Sequence, residues 1–185
     1  MNESQKLFLY CGAIGALVGI LAFGAATMLI PKSPGDMYRE FYEVETAVSV
    51  SPSDYLYSLR TGGSPGIVVD LRTAPEYAAG HMVTAVNIPA GTMDDAQLIA
   101  AFSALPKGTP AITYCYSSYC MLSRKVGLAL AERGMYAKHL TAGWLEIARD
   151  YSSYVVNGTE PGALTADQKI NPLACDPSQG GEFGC

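Results

Sequence analysis

Apolar positions fall into three regimes along the chain: an unbroken run near the N-terminus, short runs and stripes through the middle, and a polar, Gly-rich end. Residues 7–30 carry no charged side chain. Such a run exceeds the ~20 residues a helix needs to cross a bilayer. It is also longer than the apolar region of a secretory signal, usually about 7 to 15 residues after a clearly basic start, whereas residues 1–6 here read Met-Asn-Glu-Ser-Gln-Lys. An uncleaved single-pass membrane anchor is therefore predicted over 7–30, with 1–6 as its flank. Cys11 stands near the beginning of the run, where a lipid-attachment cysteine would stand at its end. Gly15 and Gly19 form a G-x-x-x-G pair through which two such helices can approach as a homodimer. Membrane helices are in any case rich in glycine, so the pair is also compatible with a lone helix.

The middle of the chain alternates between strand-like and helix-like patterns. A juxtamembrane spacer is read over 31–43 from its Pro, Gly and mixed charge, followed by a short strand over 47–50. Ser51-Pro52-Ser53-Asp54 has the form of a helix start, with a cap, a proline at the first position and an acid in the first turn. After the break at Thr61-Gly62-Gly63-Ser64-Pro65-Gly66, Ile67-Val68-Val69-Asp70-Leu71 is a continuous apolar run of strand length, the pattern of a parallel strand covered on both faces. A short helix over 74–79 and an extended stretch over 85–88 follow. Thr92 is read as the cap of the next helix, with Leu98, Ile99, Phe102 and Leu105 on one face. A strand over 111–114, a helix with Leu122, Val126, Ala129 and Leu130 at core spacing, a terminator at Gly134, a strand over 137–140 and a short helix from Trp144 complete the series. Strands alternating with helices at these distances predict a parallel α/β sheet.

Composition adds two constraints. The chain carries 12 Lys and Arg against 17 Asp and Glu, a net charge of −5, with no basic run; nucleic acid is excluded as an expected partner. Beyond residue 156 the pattern fades into Gly, Pro and polar residues, and Cys175 and Cys185 bracket a segment of the kind a disulfide closes in an oxidising compartment. Lys6 flanks one end of the anchor and Lys32 and Arg39 the other, so basic residues leave its orientation open. The cysteine pair leans the soluble part to the extracytoplasmic side. Asn157-Gly158-Thr159 matches a glycosylation sequon, read as chance outside a eukaryotic source.

The candidate chemistry lies where the strand over 111–114 runs into Cys115-Tyr116-Ser117-Ser118-Tyr119-Cys120 and then a helix. A loop between a strand and a helix aims backbone N–H groups and the positive end of the helix dipole at its mouth, which biases a cysteine there toward thiolate. Free cysteine is also among the most buried residue types, which leaves a packing role open on position alone. His81 and His139 are the two histidines, and neither stands in a ligand spacing with the cysteines, so no metal site is expected.

Val69-Asp70-Leu71-Arg72-Thr73-Ala74-Pro75-Glu76-Tyr77-Ala78-Ala79-Gly80-His81, continuing through Ala85-Val86-Asn87-Ile88-Pro89, resembles the N-terminal signature of rhodanese-like domains. The Cys115 loop and the Gly143-Trp144 turn fall at that family's active-site loop and closing signature. The likeness covers residues 44–152, leaving 153–185 as a C-terminal extension. It implies a five-stranded parallel sheet flanked by helices, and a sulfurtransferase in which Cys115 takes the sulfane sulfur of thiosulfate or a persulfide. The resulting persulfide passes that sulfur to a thiol or another nucleophile, without metal or organic cofactor. The N–H groups from Tyr116, Ser117, Ser118, Tyr119 and Cys120 would cradle the anionic sulfur, and Arg72 would lie near the mouth. Asp70, His81 and Trp144 are read as structural.

The loop departs from many active relatives, since it contains neither a basic residue nor a glycine. Activation then falls to amides, the dipole and Arg72 or Arg124, and activity toward simple thiosulfate is expected to be low. A phosphatase or arsenate reductase of this general fold would carry an arginine six positions after the cysteine, and Met121 stands there, so oxyanion hydrolysis is discounted. Cys120 is either a resolving thiol for Cys115 or a buried first-turn residue. Two alternatives to sulfur transfer therefore stand: a thiol-disulfide redox protein using Cys115 and Cys120, and a non-catalytic membrane-tethered interaction module.

Overall fold

A computed structural model describes residues 2–29 and 32–169. The chain divides into two compact units, Met1–Val44 and Glu45–Cys185. In the first, helix α1 (Glu3–Leu29) is apolar all round, and a 22-residue stretch, Glu3–Gly24, with mean hydropathy 2.2, is long and apolar enough to cross a membrane. Its described large apolar side chains, Leu7, Phe8, Ile14 and Phe23 among them, are exposed rather than packed on protein. The spacer expected over 31–43 is helical instead: α2 runs Pro34–Val48. Ser33 Oγ accepts the Asp36 N–H at 3.2 Å, and Arg39 pairs with Asp36 one turn on, while Pro34 occupies the first helical position, where its missing N–H costs nothing. The helix also takes the first two residues of the strand read over 47–50, leaving β1 as Ser49–Val50.

The second unit continues with α3 (Pro52–Arg60), β2 (Ile67–Asp70), α4 (Ala74–Ala79), β3 (His81–Met82), β4 (Val86–Asn87), α5 (Asp95–Ser103), β5 (Ala111–Tyr114), α6 (Leu122–Ala131), β6 (Ala137–Leu140), α7 (Trp144–Asp150) and β7 (Val155–Val156). Five strands form one parallel sheet in the order β1-β6-β5-β2-β4. The apolar run at β2 is explained by burial on both faces. Val68, Ile112 and Tyr114 join Tyr55 of α3, Tyr77 of α4 and Ile147 of α7 on one side. Val69, Leu71, Ala111 and Cys115 join Leu98 and Phe102 of α5 and Val126 and Leu130 of α6 on the other. Alternate side chains of a strand point to opposite faces, so a sheet covered twice needs no polar alternation. Burying each such aliphatic side chain contributes roughly 1.5–3 kcal/mol. At the entry to β2, Gly66 has φ +144°, and a Cβ there would lie 2.7 Å from the Pro110 carbonyl oxygen; glycine is what lets β2 start hard against the segment leading into β5.

Two details differ from the sequence reading. The cap of α5 is Asp94, whose carboxylate accepts the Gln97 N–H at 2.8 Å while Gln97 reaches back to the Asp94 N–H, a reciprocal capping box; Thr92 ends a preceding 3₁₀ turn. Residues 153–169 also stay with the domain. β7 pairs antiparallel with β3, the Gly158 N–H donates to the Ala78 carbonyl at 2.9 Å, and Arg60 Nε donates to the Gln168 carbonyl. Cys175 and Cys185 lie outside the described residues.

Candidate functional site: a dithiol loop between β5 and α6

β5 occupies the centre of the sheet and ends at Tyr114, so Cys115 heads a loop at the carboxyl edge, the usual place for chemistry on a parallel sheet. Three contacts set the loop's shape. The Cys120 N–H donates to the Ser117 carbonyl at 3.0 Å, folding the loop back on itself. The Trp144 and Leu145 N–H groups donate to the Cys115 and Tyr116 carbonyls at 2.8 and 3.0 Å, fastening the loop to the start of α7. A Cβ on Gly143 would sit 2.3 Å from Ser117 N. Only glycine permits that approach, which gives the Gly143-Trp144 pair of the sequence its physical meaning.

A carboxylate supplies the rest of the scaffold. Glu146 Oε2 accepts the Gly143 N–H at 2.9 Å and the Ser118 N–H at 3.1 Å, and Oε1 accepts the Ser118 hydroxyl at 3.0 Å. Burial raises the Glu146 pKa, but these donors outweigh it and hold the carboxyl below its ordinary value. On the other side, Glu76 accepts the Thr73 N–H and hydroxyl and the Tyr116 hydroxyl, the last at 2.9 Å. The loop, itself without charge, is thus braced by two carboxylates. Glu146 went unread in the sequence, although its place three residues after Gly143 is the spacing of an N-terminal capping residue. Glu76 was read only as part of a signature.

The Cys115 thiol points at the residue that closes the loop. Cys115 is 2 % exposed; its Sγ lies 3.6 Å from the Cys120 carbonyl oxygen and accepts from the Ser123 hydroxyl at 3.5 Å. Burial, then its own hydrogen bond to the Cys120 sulfur, raises the Cys115 pKa. Cys120 goes the other way. Partial burial works to raise its pKa, but the proton offered by Cys115, the Leu122 and Tyr116 amides and the charge of Arg124 together lower it. The lowered pKa expected at Cys115 thus falls on Cys120, which loop amides face, while burial holds that of Cys115 up. Ser123, one residue into α6, was a further omission of the sequence reading.

The remaining expected site residues separate. Arg72, expected near the mouth, is 3 % exposed and bound from Nε and Nη2 to the Asp70 carboxylate, at 2.6 Å for the shortest contact, with Nη2 also donating to the Gly80 carbonyl. Its guanidinium lies 4.1 Å from the centroid of the Trp144 ring. Asp70 also accepts the Tyr114 hydroxyl at 2.6 Å, and burial followed by that carboxylate raises the Tyr114 pKa, so the phenol remains a donor. A buried ion pair with every partner in place fixes geometry, so Arg72 joins Asp70 and Trp144 as scaffold under the loop. His81 is fully buried, stacked 3.7 Å from the Tyr77 ring, with its nitrogens 2.9 and 3.0 Å from the Tyr77 and Glu160 carbonyls; it ties α4 to the C-terminal segment. His139 lies 3.5 Å from Ser49 Oγ on β1. The Tyr119 side chain is 91 % exposed. Among the described residues no three His, Cys, Asp or Glu side chains converge as a metal site.

Known proteins resemble this one in the same region. A curated relative, the HTH-type transcriptional regulator Rv0324 of Mycobacterium tuberculosis, is 32 % identical over 79 residues, which are 43 % of this chain and 33 % of that protein. The chain thus spans about a third of the length of that relative. Among solved structures, the BH2092 protein of Bacillus halodurans superposes with a TM-score of 0.56 at 26 % identity, covering 76 % of this chain and 96 % of that one. A full-length protein of Lactobacillus plantarum superposes with a TM-score of 0.53 at 18 % identity, covering 66 % and 98 %. Residues 52–150, more than half of the chain and the whole stretch that builds the loop and its supports, match the Rhodanese-like domain, and the chain belongs to that family.

Proposed function

We propose that this protein is a membrane-anchored sulfurtransferase that moves a sulfane sulfur through a persulfide on Cys115. The observation that carries the reading is the placement of Cys115 at the head of the β5–α6 loop with its proton directed at Cys120. Cys115 gives up its proton to solvent and attacks the outer sulfur of the donor, the donor's S–S bond breaks, and the remainder leaves as a thiolate. An acceptor thiol then attacks the outer sulfur of the persulfide and regenerates Cys115. The anchor is α1, whose described apolar side chains are exposed.

The electrostatics favour one donor class. The loop offers no cation, Arg72 is neutralised by Asp70, and Glu76 and Glu146 stand against the loop. A dianion such as thiosulfate meets repulsion there, whereas a low-molecular-weight persulfide brings at most a single charge to the sulfur being transferred. Full-length reduced protein in detergent, exposed to cysteine persulfide, quenched early with acid and digested, is expected to carry one added sulfur on the Cys115 peptide, taken up at least tenfold faster than with equimolar thiosulfate. Cys115→Ser is expected to carry none. A loop that takes up sulfur from neither donor points to a non-catalytic interaction module instead.

A further inference from the structure

The persulfide at Cys115 would present two sulfurs to attack, and the structure treats them differently. The inner one is Cys115 Sγ itself, 2 % exposed and packed with Val69, Val126 and Leu130. Once the persulfide has formed, its outer sulfur stands between the inner one and an external thiol. Cys120 reaches it from within the loop, because the turn closed by the Cys120 N–H on the Ser117 carbonyl brings the end of the loop back over its beginning, with Cys115 Sγ 3.6 Å from the Cys120 carbonyl oxygen. Both cysteines are free thiols.

We propose that Cys120 attacks the inner sulfur of the Cys115 persulfide, closing a Cys115–Cys120 disulfide and releasing hydrosulfide. The step rests on the persulfide reading above. It balances without an outside oxidant: the new bond joins the two cysteine sulfurs, the S–S bond of the persulfide breaks, and its electron pair leaves with the outer sulfur as HS⁻. The sulfane sulfur is reduced to sulfide while the two thiols are oxidised to a disulfide. A dithiol reductant, attacking the loop disulfide, returns the protein to its starting state. Burial thus sorts two outcomes by position of attack: an acceptor thiol at the outer sulfur gives transfer, and Cys120 at the inner sulfur gives sulfide release.

The Cys120 side is suited to this role. Its sulfur keeps the Leu122 and Tyr116 amides and the Arg124 charge after Cys115 has been modified, and as it attacks, its thiol proton passes to the departing outer sulfur, which leaves as HS⁻. Cys120 is half-buried rather than sealed, which leaves the loop disulfide open to a reductant.

The test uses full-length reduced protein, one equivalent of cysteine persulfide, removal of small molecules by rapid desalting, and no added thiol. Released sulfide and the mass of the loop peptide are followed together. The wild type is expected to release close to one sulfide per protein while its loop peptide converts to the internal disulfide. Cys120→Ser and Cys120→Ala are expected to keep the added sulfur on Cys115 and release at least tenfold less sulfide until a dithiol is supplied. A wild type that holds its persulfide as long as both variants overturns the proposal and leaves the sulfurtransferase standing. Absence of added sulfur in all three, with no sulfide from the wild type, overturns both.

Discussion

At the scale of single residues, the site is a set of sulfurs and carboxylates whose charges are fixed by what lies within hydrogen-bonding reach. Glu146 is the clearest case, because one carboxylate accepts three loop and cap donors. A carboxyl with a lowered folded pKa contributes stability that is fully present above its ordinary value, about 4.5, and is lost as pH falls through the folded value. Glu146→Gln is therefore expected to lower stability by about 1 kcal/mol at neutral pH, since the group is only half-buried and partly screened. The difference from wild type should vanish in acid denaturation series taken below the carboxylate range. A wild-type advantage that stays constant into acid would contradict the assignment. The residue scale is also where the sequence is least legible. Cys115 is visible as the head of a loop, but which sulfur carries the charge depends on the direction of the Cys120 side chain and on two amides. Arg72 reads as a mouth residue until Asp70, two positions earlier, turns it inward.

At the scale of elements, much of the domain can be read from the chain. The run at β2 is apolar without alternation because Val68 and Val69 are both buried, on opposite faces, and that pattern is available to a reader who knows only what a parallel sheet demands. α4, β5 and β6 fall on the residues expected. α2 was missed because Pro34 and Gly35 look like breakers, although proline is favoured at a helix's first position. The cap of α5 was placed two residues early because Thr92 and Asp94 are both capping types, and the choice is made by Gln97, which completes the box only with Asp94. β7 is invisible beforehand: a two-residue strand carries no periodicity, and its partner β3 is equally short.

For the whole molecule, the consequence is a rhodanese-like domain on the same chain as a helix that water does not solvate well. Covering an apolar helix this long takes lipid, detergent or another helix. The full chain is expected to stay with vesicles through alkaline carbonate extraction, and a chain beginning at residue 32 is expected in the supernatant. Extraction of the full chain would remove the anchor from the account and leave the loop chemistry untouched. Anchoring would confine sulfur transfer to donors and acceptors that reach the bilayer surface.

The proposed transfer and release of sulfur both turn on the opposite pKa shifts of Cys115 and Cys120, and site-resolved alkylation reads these directly. Reduced full-length protein is treated with limiting iodoacetamide across a pH series, and each cysteine is quantified by peptide mass spectrometry. The expected result is modification of Cys120 first, with a midpoint below that of an ordinary cysteine thiol, and of Cys115 only at higher pH. Modification of Cys115 ahead of Cys120, at the lower pH, would contradict the account.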